Sequence, residues 1–360
     1  MLRRIATLSV LVLALAGCAG PAANPPPTEP TATPPTAAAP PATKFCKVDL
    51  PESWRSALTA GTLHTDPGVG EYVVAASDDA TQTFVQVTRT GARTLDFVTT
   101  GGRTTVMTLG VNDEVVESSF DGRWLVFAVA HNPANLSLWS LYVWDSQTRT
   151  APKRIVANTT DAPLIRPVAQ HGKAAWLGNG GQLHFYDLAG GKDTVLADAH
   201  ATTVFFTNSW LVWRAGDNSG GRLRAIDAVA GTPVTLPAAL TAQTSLQYVA
   251  GGGDTVIWAN GNTLVGWRNG WTAPRQLITL DKGLIQWPHV GGDLVSFGDT
   301  MAYFVADIRG GSYVQVTPQA GDARALPGGL IVQYYSGDKT KPGQPSAVGI
   351  AKLPALPACH

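Results

Sequence analysis

The side chains best equipped for chemistry in this 360-residue chain are three cysteines, seven histidines and a serine set among glycines. The histidines are His64, His131, His171, His184, His200, His289 and His360. They show neither H-x-x-x-H nor H-E-x-x-H spacing, which would put two imidazoles on one helix face for zinc. Asp78-Asp79 is too short for a calcium loop, and no phosphate-cradling glycine loop precedes a helix. No metal is expected. Gly216-Asp217-Asn218-Ser219-Gly220-Gly221 places a serine as a nucleophile would be placed, but Asn218 interrupts the pattern and no matching histidine and aspartate contexts are present. It reads as a turn between two strands, and no catalytic residue is assigned.

The cysteines divide cleanly. Arg3 and Arg4 open the chain, and residues 5–15 form an apolar stretch too short for a comfortable membrane span. Leu15-Ala16-Gly17-Cys18 then sets small residues before a cysteine. This resembles the bacterial lipobox, in which the cysteine sulfur is acylated and becomes the first residue of the mature chain. The resemblance implies a signal peptide over residues 1–17, lipidation at Cys18, and a bacterial membrane protein facing the extracytoplasmic side. Cys46 and Cys359 remain, one at each end of the folded region, and an even pair in an exported protein reads as a disulfide.

Residues 18–44 are almost entirely Pro, Ala, Thr and Gly, with nine prolines. Such a segment buries too little apolar surface to offset its ordering entropy, so it is expected to be a disordered, extended tether. The formal charge of the whole chain is +0, which gives no electrostatic footprint for nucleic acid. Attachment to the membrane must then come from lipid on Cys18.

Only 14% of residues are charged, against 38 glycines and 25 prolines, a composition that favours tight turns over long charged helices. Apolar strands recur from Tyr72 onward, beginning at Tyr72, Trp124, Ala174, Trp210, Thr255, Leu294 and Leu330. Their spacing averages about 43 residues, the range of a four-stranded propeller blade. Each is followed by an alternating strand, often closed by an aspartate (Asp145, Asp187, Asp227, Asp307), then by a short third strand and an apolar fourth. Asp121-Gly122 and Asn269-Gly270 are the strongest hairpin signals. The expected fold is all-β: a single propeller over residues 45–360, most simply of seven four-stranded blades.

A ring must close. Residues 45–49 form an orphan strand that would complete the last blade, with Cys46–Cys359 as a covalent clasp. Asp49-Leu50-Pro51-Glu52 reads as a capping box before a short helix that runs to about Ala60 and is ended by Gly61.

Ser119-Phe120-Asp121-Gly122-Arg123-Trp124-Leu125-Val126-Phe127, followed by Leu141-Tyr142-Val143-Trp144-Asp145, resembles the TolB-type propeller repeat, with Phe120 where that family prefers proline. The resemblance implies a TolB-like or WD-type propeller of the bacterial envelope, a class that serves as interaction platforms. Ser119 to Trp124 also resembles the aspartate box of sialidases, though it lacks one residue on each side of the glycine, and Asp121-Gly122 is explained by a hairpin. Residues 225–231 resemble the quinoprotein repeat, but Thr235 and its neighbours lack its docking tryptophan, so no cofactor is expected.

Of eleven tryptophans, Trp124, Trp176, Trp210, Trp213 and Trp258 occupy the first strand of the phrase and are expected to pack between blades. Trp139, Trp271 and Trp287 lie near loops or strand ends and are the candidate exposed binding aromatics. The expected function is a membrane-anchored, non-catalytic binding or scaffold module for an envelope protein or polysaccharide. The competing class is a propeller hydrolase or lyase acting on glycans or peptides, with Asp or Glu at strand starts in a central channel.

Overall fold

Short alternating strands punctuated by Gly, Asn and Asp pair most readily with their sequence neighbours, and from Gly70 to Lys352 they do so. The computed structural model describes residues 45–63, 69–132, 138–158, 166–196, 199–216, 221–299, 302–317, 321–335 and 345–359. The signal peptide expected over residues 1–17, Cys18, the tether expected over 18–44 and the turn expected around Ser219 all fall outside these residues. Among the described residues there are seven sheets, spanning 70–109 (sheet 1), 114–158 (sheet 2), 168–196 (sheet 3), 201–234 (sheet 4), 247–279 (sheet 5), 286–317 (sheet 6) and 321–352 (sheet 7). Each is an antiparallel meander in chain order. Each packs on the next, and sheet 7 packs back on sheet 1. The architecture is a β-propeller.

The second strand of each sheet carries the core. Trp124–Ala130 and Thr255–Asn260 are almost wholly buried, because neighbouring sheets cover both of their faces. Rings fill the seams: Phe84, Phe97, Phe120 and Trp144 meet at centroid distances of 4.9–5.7 Å between sheets 1 and 2. The phase expected from sequence is therefore one strand late. Six of the seven apolar onsets mark second strands, and the apolar fourth strand, such as Val204-Phe205-Phe206, opens the following sheet. A strand sandwiched on both faces is the most continuous apolar run, so it announces itself first. Tyr72 alone lies in a first strand, Gly70–Ala76, which accounts for the long interval before Trp124.

The strand-closing aspartates hold turns. Asp187 and Asp227 each accept two backbone N–H groups from the turn that follows, at 2.7–3.1 Å. Asp145 is paired bidentately with Arg123, whose guanidinium holds that carboxyl below its usual range. Asp121 accepts from the Arg123 and Trp124 N–H groups in its own turn, and from Gly172 N–H in sheet 3.

Closure differs from expectation in its partners. Cys46–Lys47 does not complete the last sheet; it adds a parallel fifth strand to sheet 6, with Cys46 opposite Ser312. The last sheet is completed by Thr62–Leu63, paired with Val348 and Gly349. Between them lies helix α1, Glu52–Ala60, whose Trp54 and Leu58 are buried against sheets 6 and 7. The helix occupies the seam, so the strand before it lands on one sheet and the strand after it on the other. Its capping box does not form: extended Pro51 takes the N-cap position without a side-chain cap bond, leaving Asp49 two residues too far upstream. The clasp does form. Cys46 and Cys359 are disulfide-bonded with α-carbons 5.9 Å apart.

Candidate functional site

The first strand of every sheet faces a central cavity of about 900 Å³. Its wall is built of small residues, including Ala75, Ser119, Ala169, Gly252 and Ala325. Glycine is required where first strands crowd: a Cβ on Gly252 would lie 2.6 Å from the Val290 carbonyl oxygen of the next sheet. At one end, where first strands turn into second strands, two carboxylates border the cavity, Asp78 and Asp121. Burial, and then the charges of Asp79 and Asp121, push the Asp78 carboxyl up. Asp121, however, already accepts three backbone N–H groups, so it is committed to the turn and to the junction between sheets 2 and 3.

The start of the first strands is different. Gln247–Gly252 and Gln286–Gly291 each carry one extra residue near their start, between Gln247 and Ala250 and between Gln286 and His289. These β-bulges fall in the same place in neighbouring sheets, and each puts a large aromatic into the left-handed region: Tyr248 at φ 45° and Trp287 at φ 51°. Both remain exposed, at 39% and 44%. Their rings meet edge to face with centroids 5.5 Å apart. For a non-glycine residue this backbone costs roughly 1–2 kcal/mol. The ring contact, worth about 0.5–1.5 kcal/mol, offsets part of that for the pair.

Charge completes the cluster from other sheets. Arg166, which leads into sheet 3, places its guanidinium carbon 5.1 Å from the Trp287 ring centroid. Its Nε lies 3.3 Å from Oε1 of Glu117, in the first strand of sheet 2. Burial pushes the Glu117 carboxyl up, and the positive charges of Arg324 and Arg166 counter part of that. Arg324, in the first strand of sheet 7, donates to the Val74 carbonyl at 3.1 Å. His289, half-buried in the same strand as Trp287, is held down to about 3, first by burial and then by Arg324 and Arg166. It is therefore neutral at physiological pH. Chemically, the cluster offers a ring face, a ring edge and one carboxylate to a ligand.

The three tryptophans expected to be exposed part company here. Trp139 is 4% exposed and belongs to the core between sheets 2 and 3, a correction that follows from its place in the third strand rather than in the loop before it. Trp271 is half-buried under Arg275, 4.2 Å from its ring, and borders a second cavity of about 780 Å³ with Phe45 and Tyr313. Trp287 is exposed in the cluster just described. Tyr248, Arg166 and Glu117 escaped the sequence reading. One signal could have found Tyr248: Leu246-Gln247-Tyr248-Val249-Ala250-Gly251-Gly252-Gly253-Asp254 aligns without a gap on Ile285-Gln286-Trp287-Pro288-His289-Val290-Gly291-Gly292-Asp293.

No protein-family model matches the chain, and neither does any curated protein sequence. Solved structures do. The β-propeller domain of Cps50 (Swd1) from Myceliophteria thermophila aligns with a TM-score of 0.52 at 14% identity, over 81% of this chain and 99% of that one. KlAtg21, solved in complex with the coiled coil of AgAtg16, aligns with a TM-score of 0.50 at 13% identity, over 79% and 100%. TolB from Acinetobacter baumannii aligns with a TM-score of 0.39 at 15% identity, over 60% of this chain and 56% of TolB, so the match spans little more than half of that protein. At such identities the likeness is one of fold: this chain is a β-propeller.

Proposed function

We propose that this protein is a membrane-tethered, extracytoplasmic, non-catalytic binding module that engages an envelope protein through the Tyr248–Trp287 end of its channel. The carrying observation is the pair of exposed aromatics held in left-handed backbone at equivalent bulges of adjacent sheets. Strained residues persist where the surrounding structure over-determines them, and they cluster at ligand clamps. The lipobox-like Leu15-Ala16-Gly17-Cys18 supports the anchor, with Cys18 as the lipidated residue, and the proline-rich stretch over residues 18–44 supports a tether. The hydrolase or lyase alternative would need a pair of free carboxylates. At the cavity end bordered by Asp78 and Asp121, Asp121 is committed to backbone donors, and at the other end Glu117, which feels the charge of Asp322, is paired with Arg166; both favour binding over acid–base catalysis.

The test has two arms. Native envelope is probed with the full chain and with a Tyr248→Ala/Trp287→Ala double variant. The wild type should retain a protein that the variant loses; equal retention by both sinks the docking site. Fractionation of Cys18→Ser checks the anchor: the variant should leave the membrane or keep its leader uncleaved, and mature protein still in the membrane fraction sinks the anchor.

A further inference from the structure

The Tyr248–Trp287–Glu117 corner already holds a ligand-like group, and that group belongs to the chain itself. Arg166 stacks its guanidinium on the Trp287 ring while its Nε faces the Glu117 carboxylate. The two halves of this contact are unequally built. The Arg166 side chain is 59% exposed, whereas Glu117 is 24% exposed. The acceptor side is fixed in the wall of the propeller, and the donor side is free to exchange with solvent.

We propose that this corner is a receptor for an arginine side chain of a protein partner, and that Arg166 occupies it in the free protein as a built-in competitor. The inference rests on the reading that this end of the channel is the docking site. Guanidinium fits better than ammonium, because its planar fork can lie over the indole face while it donates to the carboxylate. The charge count of the corner favours a cation as well. Once Arg166 swings away, Glu117 keeps the charges of Arg324 and Asp322 around it but loses the guanidinium paired with it at 3.3 Å. Leaving a half-buried carboxylate without that partner is unfavourable, so an incoming arginine restores what the departing Arg166 removed. Partner binding and release of Arg166 are then one exchange, and the free protein is less receptive than its bare corner would be.

If Arg166 fills the corner nine-tenths of the time, removing it should tighten binding about tenfold, because apparent affinity scales with the competent fraction. The full-length chain is labelled with 5-fluorotryptophan and titrated with N-acetyl-L-arginine amide, which presents one guanidinium on an uncharged backbone. The Trp287 resonance is assigned by its loss in Trp287→Phe. Arg166→Ala and Arg166→Gln, both surface changes, should bind the probe about tenfold more tightly than wild type, and adding Glu117→Gln to either, which keeps the Trp287 signal, should remove that gain. N-acetyl-norleucine amide and N-acetylglucosamine serve as uncharged ligands and should not gain. The proposal is overturned if neither Arg166 variant binds the arginine probe more tightly, or if the sugar gains as much, which would mark a saccharide platform. Should the arginine gain be absent while the Tyr248→Ala/Trp287→Ala variant still loses its envelope partner, the docking site stands and the arginine receptor does not.

Discussion

The seam of the ring and the Tyr248–Trp287 end of the channel treat an awkward piece of chain in opposite ways. At the seam, helix α1 buries Trp54 completely, and its indole N–H donates to the Pro354 carbonyl at 2.8 Å. The strand before it is locked by Cys46–Cys359, and the strand after it is paired into sheet 7. Trp54, Cys46 and the strand after the helix each find an apolar, covalent or hydrogen-bonded partner within the chain. At the channel end, two aromatics are held in unfavourable backbone and left exposed, and the cation above one of them is mostly in solvent. The first region converts sequence into stability. The second holds strain that its own contacts no more than offset, which is the pattern of a surface kept for something outside the chain.

That contrast breaks most readily at the seam. Trp54→Ala removes a fully buried indole that touches both sheets and should cost about 3–5 kcal/mol. Urea unfolding of the variant checks this; a loss below about 1 kcal/mol would mean that the helix is ornamental to closure. Cys46→Ala should cost about 2–5 kcal/mol, since the disulfide restrains two residues 313 apart in sequence. Reductant should destabilise the wild type and leave the variant unmoved. If reductant lowers both alike, the stabilisation does not come from this bond.

How much of this was legible beforehand follows the same division. The propeller was readable because turn glycines and aspartates recur at blade spacing, and the disulfide because two cysteines remain once Cys18 is read as a lipidation site. The partners of the N-terminal strand were not readable. Nothing in residues 45–49 reveals that Trp54 and Leu58 will wedge a helix between two sheets and divert the chain. Trp139 was misplaced because the start of a strand and the end of a loop look alike when the alternation is broken by Leu138. The candidate site was half visible. Trp287 stood out as an aromatic at a strand end, but its cluster joins sheet 6 and Glu117 of sheet 2 to Arg166 in the segment leading into sheet 3, which only ring closure brings together.

Acid should separate the two regions further. His289 is held down to about 3 in the folded protein, while its ordinary value is 6.5. Between those values the unfolded chain binds a proton that the folded chain does not, so its contribution to stability is complete above pH 6.5 and is lost as pH falls towards 3. From pH 7 to pH 5 this amounts to about 2 kcal/mol by linkage. Arg324, Arg166 and Glu117 face the same region; the raised Glu117 carboxyl acts in the opposite direction, gaining stability as it protonates at lower pH. Comparing the wild type with His289→Gln isolates the imidazole, because the other groups are common to both. The wild type should lose about 2 kcal/mol more than the variant over that interval. Parallel pH profiles would show that His289 is solvated and that the channel end is less tightly built than its geometry indicates.

The smallest effect is also the sharpest reading of strain. In an ordinary strand, glycine is less stable than alanine by about 0.5–1 kcal/mol, because it loses more backbone freedom on folding. Where φ is near +50°, alanine must bear the steric cost that glycine escapes, and the order reverses by about 1 kcal/mol. Trp287→Gly should therefore be more stable than Trp287→Ala, and Tyr248→Gly more stable than Tyr248→Ala, although both members of each pair have lost the same ring contacts. Val195, exposed in the fourth strand of sheet 3 and without positive φ, should show the ordinary order. Because each comparison is between two truncations at one position, the ring, the Arg166 stack and the solvent exposure cancel. Only the backbone is left. A Gly–Ala difference at Tyr248 and Trp287 of the same sign as at Val195 would remove the strain, and with it the reason to set the channel end apart from the seam.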